Sequence, residues 1–312
     1  PAVTRIEAAN PSTAFKAVKT ADELEHIRDV MRRDGVALVR GFRRLEQRLA
    51  AGMTVTELDV DTLLHEERSA QPGWVGESFA TIAGYQANGA LPHYRATEES
   101  HSTLHSKGLL LIDSGGQYLG GTTDITRVLA LGETTAEQRR DATLVMKGMI
   151  GLSRARFPKG ASGPQLDALA RAPLWACGMD YGHGTGHGVG YFLNVHEGPH
   201  SVRPPVAGGA LVALEPGMIS SIEPGLYKPG RHGIRHENLA VVIEAEQSEF
   251  GDYRAFETLT MCPFDRRALE PGLLNPEERA WLDDYHANVR AALSPLLEDA
   301  DQEWLVRHCA PL

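Results

Sequence analysis

Cysteine is scarce in this chain, with three in 312 residues. Cys177, Cys262 and Cys309 are odd in number, far apart and in no CxxC pair, so neither a disulfide framework nor a cysteine-rich structural zinc site is indicated. A reducing compartment, the cytoplasm, is the matching expectation. Long apolar runs are also missing. No stretch approaches the roughly 18 residues of a membrane span, and the opening PAVTRIEAANPSTAFKAVKTADEL lacks the apolar centre of a signal peptide. Basic runs are absent too, and the net charge is −10, which argues against a nucleic-acid partner or an anionic membrane. The remaining composition, 42% hydrophobic and 23% charged, is that of an ordinary globular protein large enough for one big domain or two. Small peptides or metabolites are the expected partners.

What is present in excess is glycine around histidine. Residues 181–191 read YGHGTGHGVGY, with five glycines in eleven positions and His183 and His187 four apart. Each glycine costs a helix roughly 1 kcal/mol against alanine, so the two histidines belong on a tight turn or short strand where bare backbone approaches something closely. Upstream, LLLIDSGGQYLGGTTDITRVLAL carries Asp113 and Asp124; downstream, MISSIEPGLYKPGRHGIRHENLAVVIE carries Glu223 and Glu237. In each segment two β-rich runs flank a turn-rich connection, which reads as a hairpin that brings its two acids together.

The rest of the pattern is helical. Thr20 with Glu23 forms a capping box before a helix to about Gly52, with Gly35 as its weak point, and a second helix covers about Thr56 to Ser69. Residues 79–94 are short strand pieces with an Asn-Gly turn, ending near His93. Thr135 with Gln138 opens a helix to about Phe157, and Ser162 with Gln165 another to about Trp175. The run AFETLTMCPF reads as a final strand, followed by a helix from Asn275–Pro276 to Leu293 and a last one over about 301–308. The expected architecture is α/β of the α+β kind, two related halves each made of paired helices and an acid-bearing hairpin. Residues 1–19 read as a leader or the tail of a preceding domain, 20–263 as the main domain, and 264–312 as a helical extension packed on it.

Four carboxylates and one imidazole make a donor set richer in hard oxygen than a structural zinc site. Their formal charge of about −4 is what two divalent cations neutralise, and five side chains serve two ions only if some carboxylates bridge. Three shorter matches are set aside. HEGPH at 196–200 fits a zinc-protease expression, yet Gly198 and Pro199 forbid the helix it needs. DSGG at 113–116 has no plausible serine-protease partners, and the glycines near 184 lack dinucleotide spacing.

Taken in order, IDSGGQYLGGTTDITR, HGTGHGVGYFLNVHEGP, SIEPGLY and GIRHENLAVV resemble the catalytic domain of the pita-bread metallopeptidases. Together with WLDDYHANVR and WLVRHCAPL, they are most similar to that family's Xaa-Pro aminopeptidase (aminopeptidase P) branch, over about residue 16 to the end. The resemblance implies the pita-bread fold, a pseudo-symmetric mixed antiparallel sheet flanked by helices. It implies two divalent ions held by Asp113, Asp124, His187, Glu223 and Glu237, with Asp124 and Glu237 bridging. The metal would be manganese, with zinc, cobalt or iron as alternatives. Glu223 would also be the general base, His93, His183 and His196 would bind substrate and stabilise developing charge, and Arg235 would hold a ligand carboxylate. A homodimer acting on peptides with a penultimate proline is implied as well. An Xaa-Pro dipeptidase remains the rival enzyme, and a non-catalytic peptide- or histone-binding module the rival of another class.

Overall fold

The computed structural model describes residues 10–207 and 211–312. In chain order its helices are α1 (Pro11–Ala17), α2 (Ala21–Ala50), α3 (Glu57–Ser69), α4 (Ala136–Ser153), α5 (Gly163–Trp175), α6 (Pro276–Leu293) and α7 (Asp299–His308). Four starts foreseen from sequence carry capping boxes: Thr20 with Glu23, Thr135 with Gln138, Ser162 with Gln165 and Asn275 with Glu278. Each box satisfies two backbone N–H groups that a helix end otherwise leaves bare.

The strands are β1 (Trp74–Glu77), β2 (Ile82–Tyr85), β3 (Leu109–Ser114), β4 (Gly116–Tyr118), β5 (Gly121–Thr122), β6 (Ile125–Ala130), β7 (Arg156–Pro158), β8 (Gly186–His187), β9 (Ser201–Val202), β10 (Ile219–Ile222), β11 (Gly225–Lys228), β12 (His232–Arg235), β13 (Asn238–Ser248) and β14 (Gly251–Thr258). They pair antiparallel in two main sheets, ordered β2-β3-β6 and β10-β13-β14-β7, and in three small ones, β1-β4-β5, β8-β9 and β11-β12. The expected antiparallel sheet structure flanked by helices is present, its strands grouped in these five sheets and all their pairings antiparallel. The doubling is visible: β3 and β6 enclose the small hairpin β4–β5, and β10 and β13 enclose β11–β12. Leu109–Ile112, Ile125, Val128, Ile219, Ile222 and Leu239–Val242 are buried, and α2, α4 and α6 supply the facing apolar residues.

Several boundaries differ from the sequence reading. α2 runs unbroken through Gly35, because that glycine serves close packing: a Cβ there would sit 2.2 Å from the Met261 carbonyl oxygen. α4 ends at Ser153, and Phe157 belongs to β7, where its ring packs on Phe256 at 5.3 Å between centroids. The connections read as turns, SGGQYLGG and EPGLYKPGRHGIR, are hairpins in their own right. Within the expected leader, Asn10 caps α1 by accepting from the Ser12 N–H at 3.0 Å; residues 1–9 lie outside the described residues. The C-terminal helices pack on the main body: Tyr285 of α6 hydrogen bonds Arg127 of β6 at 2.9 Å, and Asp301 of α7 accepts from Arg40 and Arg43 of α2. No helix among the described residues is long and apolar enough to cross a membrane.

Candidate metal centre

The strand registers place the acids. Asp113 pairs with Thr126 across β3 and β6, and Asp124 immediately precedes β6. Ile222 pairs with Asn238, so Glu223 leaves β10 where Glu237 enters β13. Alongside β10, bridged through Gly188 and Ser220, runs β8 with His187. The Glu223 N–H donates to the Thr185 carbonyl at 2.8 Å, and the His187 N–H to Ser221 Oγ at 2.9 Å. The glycines are explained by this crowding. A Cβ on Gly186 would lie 2.0 Å from the Ser221 carbonyl oxygen, and one on Gly188 2.0 Å from that of Glu197. No larger residue fits.

All five expected ligands, Asp113, Asp124, His187, Glu223 and Glu237, line one cavity of about 480 Å³, together with His93, His183, His196 and Arg235. Donor atoms of Asp124, His187 and Glu237 lie within 4.8 Å of one another. His187 Nε2 is 3.4 Å from both Asp124 Oδ2 and Glu223 Oε1, while its Nδ1 is turned to the Gly188 carbonyl at 3.0 Å. The second nitrogen thus orients the ring and leaves the first for the cluster.

Electrostatically the cluster is under strain as a set of anions. Burial, with Asp124 adding its charge against the pull of Arg235, pushes the Asp113 carboxyl above its usual range. Burial and the charges of Asp124, Glu223 and Asp113 push Glu237 well up, and burial raises Glu223 to about 7. Burial opposes protonation of His187, but Asp124 and Glu223 outweigh it and lift the ring to about 9. Asp113 Oδ1 and Glu237 Oε1 are buried without any hydrogen-bond donor, although the other oxygen of each is held, by Arg235 and by Thr126 at 2.7 Å. Orphaned buried carboxylate oxygens facing like charges are costly unless a cation fills the gap. A hard-oxygen set with one imidazole therefore fits divalent ions of the manganese-to-zinc series.

The outer residues are connected in ways the sequence did not reveal. Arg235 donates to Asp113, to Thr126 Oγ1 at 3.2 Å and to Tyr227 Oη at 2.7 Å. Tyr227 Oη lies 2.9 Å from His183 Nε2, and His183 Nδ1 lies 2.7 Å from the Gly184 carbonyl. Burial pulls the His183 ring down to about 4, so it is neutral, donating from Nδ1 and accepting the tyrosine proton at Nε2. Tyr227 thus couples Arg235 to His183, and its only sequence signal was a tyrosine four residues beyond Glu223. Arg171 of α5 fixes the turn itself, donating to the carbonyls of Tyr181 and His183 at 2.8 and 2.7 Å. His196 stands edge-on to His187 at 4.2 Å between centroids, and desolvation and that neighbour lower its pKa. His93 lies exposed at the cavity with Pro92. The segment 196–200 is not helical, as Gly198 and Pro199 require.

A doubled α/β frame with buried carboxylates and one imidazole at the foot of a cleft defines a metallohydrolase of pita-bread architecture. The chain belongs to metallopeptidase family M24, whose description matches residues 25–244, while residues 252–312 match the C-terminal region of peptidase M24. It is 44% identical over 308 residues to a probable Xaa-Pro aminopeptidase P of Laccaria bicolor, covering 97% of this chain and 48% of that protein. A probable Xaa-Pro aminopeptidase P of Tuber melanosporum is 45% identical, with 97% and 50% covered. Among solved structures, the X-prolyl aminopeptidase of Caenorhabditis elegans, described as a cytosolic enzyme with a di-nuclear active site, superposes with a TM-score of 0.91 at 36% identity. That match covers 96% of this chain and 49% of the other. The chain spans about half the length of these relatives.

Proposed function

We propose that this chain carries the catalytic unit of a dinuclear-metal aminopeptidase that removes the first residue of peptides whose second residue is proline. The observation that supports it most is the convergence of five ligand-type side chains on one cavity, with two buried carboxylate oxygens lacking a donor. Asp113, Asp124, His187, Glu223 and Glu237 would hold the ions, manganese in the first instance. Bound there, two divalent ions supply Lewis acidity toward the scissile carbonyl and a water acidic enough to attack it near neutral pH.

The protein's own groups do the rest. Ser221 Oγ donates to Glu223 Oε1 at 3.0 Å, holding the carboxylate that takes the proton of the attacking water and passes it to the proline nitrogen. His196, beside His187, donates to the carbonyl oxygen as negative charge grows on it. His183, tied to Arg235 through Tyr227, and His93 position the substrate, and Phe79, Ile82 and Pro92 form an apolar wall suited to a proline ring. Residues 20–263 form the catalytic domain in this reading and 264–312 its extension. The protein is a cytoplasmic homodimer, which sedimentation and cell fractionation test.

Glu223→Gln is expected to lower turnover of Ala-Pro-Ala by about a thousandfold, within the usual range for losing a general acid–base group. Undiminished turnover would overturn the mechanism. Cleavage of Gly-Pro with no tripeptide activity would assign an Xaa-Pro dipeptidase instead, and failure to bind Mn2+ would point to a non-catalytic peptide-binding module.

A further inference from the structure

Two arginines line the cleft. Arg235 is fully engaged by Asp113, Tyr227 and Thr126. Arg203 is exposed and makes no side-chain hydrogen bond or ion pair among the described residues. It follows β9 by one residue. The pairing of Gly186 with Val202 and of His187 with Ser201 sets it beside the turn that carries His183. A Cβ built on Gly184 would lie 3.4 Å from Arg203 Cβ. Ser201 and Arg203, two residues apart, both face the cavity, as strand alternation dictates.

A lone exposed arginine is usually only solvated, and pairs made by such groups are weak. The surroundings argue for more here. Three of the cavity's carboxylates, Asp113, Asp124 and Glu237, are buried, while Phe79, Ile82, Pro92 and Gly184 add no charge to its lining. Arg203 is thus the one unengaged cation among the described lining residues apart from the histidines. A peptide with its first two residues at the buried cluster extends its third residue toward the exposed part of the lining, to which Arg203 belongs.

We propose that Arg203 binds a carboxylate located beyond the proline, an assignment that rests on the aminopeptidase reading. Its planar fork matches a carboxylate in two parallel hydrogen bonds, which a lysine or glutamine cannot reproduce. The carboxylate is the C-terminus of a tripeptide or an acidic side chain at the third position, and the site favours either over a neutral amide.

The test uses the full chain loaded with Mn2+ and three substrates: Ala-Pro-Ala, Ala-Pro-Ala-NH2 and Ala-Pro-Asp-NH2. With the unaltered protein, KM for Ala-Pro-Ala is expected to be about fivefold below that for its amide, the size typical of a partly exposed ion pair. Arg203→Gln closes this gap with kcat unchanged within about twofold, and Arg203→Lys keeps part of it. A low KM for Ala-Pro-Asp-NH2 extends the site to side-chain carboxylates; a KM equal to the neutral amide's restricts it to the C-terminus. An acid-to-amide ratio that is the same in the unaltered protein and Arg203→Gln overturns the proposal. Calorimetric binding of the dipeptide Pro-Ala against Pro-Ala-NH2 reads the same contact without turnover. If none of the three substrates is cleaved, the aminopeptidase reading fails, while the binding difference and its loss in Arg203→Gln still decide the role of Arg203.

Discussion

Replacing Arg127 with methionine should destabilise the metal-free protein by about 4 kcal/mol, and the sum can be followed atom by atom. The side chain is buried in β6. Its Nε donates to the Pro263 carbonyl at 3.1 Å, one terminal nitrogen to the carbonyls of Thr126 and Glu237 at 2.9 and 2.6 Å, and the other to Asn238 Oδ1, the Cys262 carbonyl and Tyr285 Oη at 2.8, 2.8 and 2.9 Å. The guanidinium also sits 3.7 Å from the Phe264 ring centroid. Some acceptors keep another donor, the Thr126 carbonyl from the Glu237 N–H and the Cys262 carbonyl from Tyr285. The carbonyls of Pro263 and Glu237 lose their strong donor, at about 1–3 kcal/mol each. Loss of the cation–π contact adds about 1–2 kcal/mol, and burying a neutral side chain instead of a cation returns part of the total. Methionine nearly fills the volume, so no large cavity term enters. Urea unfolding of the metal-free protein, extrapolated linearly, is the assay. Arg127→Lys should fall between, because an ammonium has three donors and no plane. A loss below about 1 kcal/mol for Arg127→Met would refute the claim that this arginine ties β6, β13 and the C-terminal segment together.

Other expectations concern charge. Glu237→Gln removes one of several mutually repelling buried carboxylates, so the metal-free protein should melt at a higher temperature while Mn2+ binding weakens by at least about 100-fold; thermal shift with chelator and calorimetry with Mn2+ read the two effects in opposite directions. For the unaltered protein, Mn2+ at about 100 times its dissociation constant should add about 2.7 kcal/mol, and an unfolding midpoint insensitive to chelator would contradict the site. Burial disfavours the Glu46 carboxylate, but His308, Arg267 and Trp304 outweigh it and hold its pKa at about 2 rather than 4.5. A depressed acid stabilises the fold above its unfolded value and ceases to do so as pH falls from about 4.5 through about 2. Glu46→Gln should therefore flatten the stability profile in that window and leave its shape near neutrality unchanged.

The local grammar of this chain was legible without coordinates. Capping boxes at Thr20, Thr135 and Ser162 and the Asn275–Pro276 start depend on residues three apart, so sequence alone located those helices. The alternating glycines around His183 and His187 announced a crowded backbone, and the paired acids at strand ends announced a cluster; all nine candidate residues line one cavity. What tertiary structure decided acts over long separations. Gly35 reads as a helix breaker until Met261 is found against it, and Phe157 reads as helical until β14 claims it. The chain from Asp113 through Arg235 and Tyr227 to His183, the anchoring of Arg127 and the exposure of Arg203 at the cleft join residues far apart in sequence. Periodicity and capping report on a residue's neighbours along the chain, whereas hydrogen bonding and burial at the site are set by which strands meet, and that pairing is a property of the whole fold.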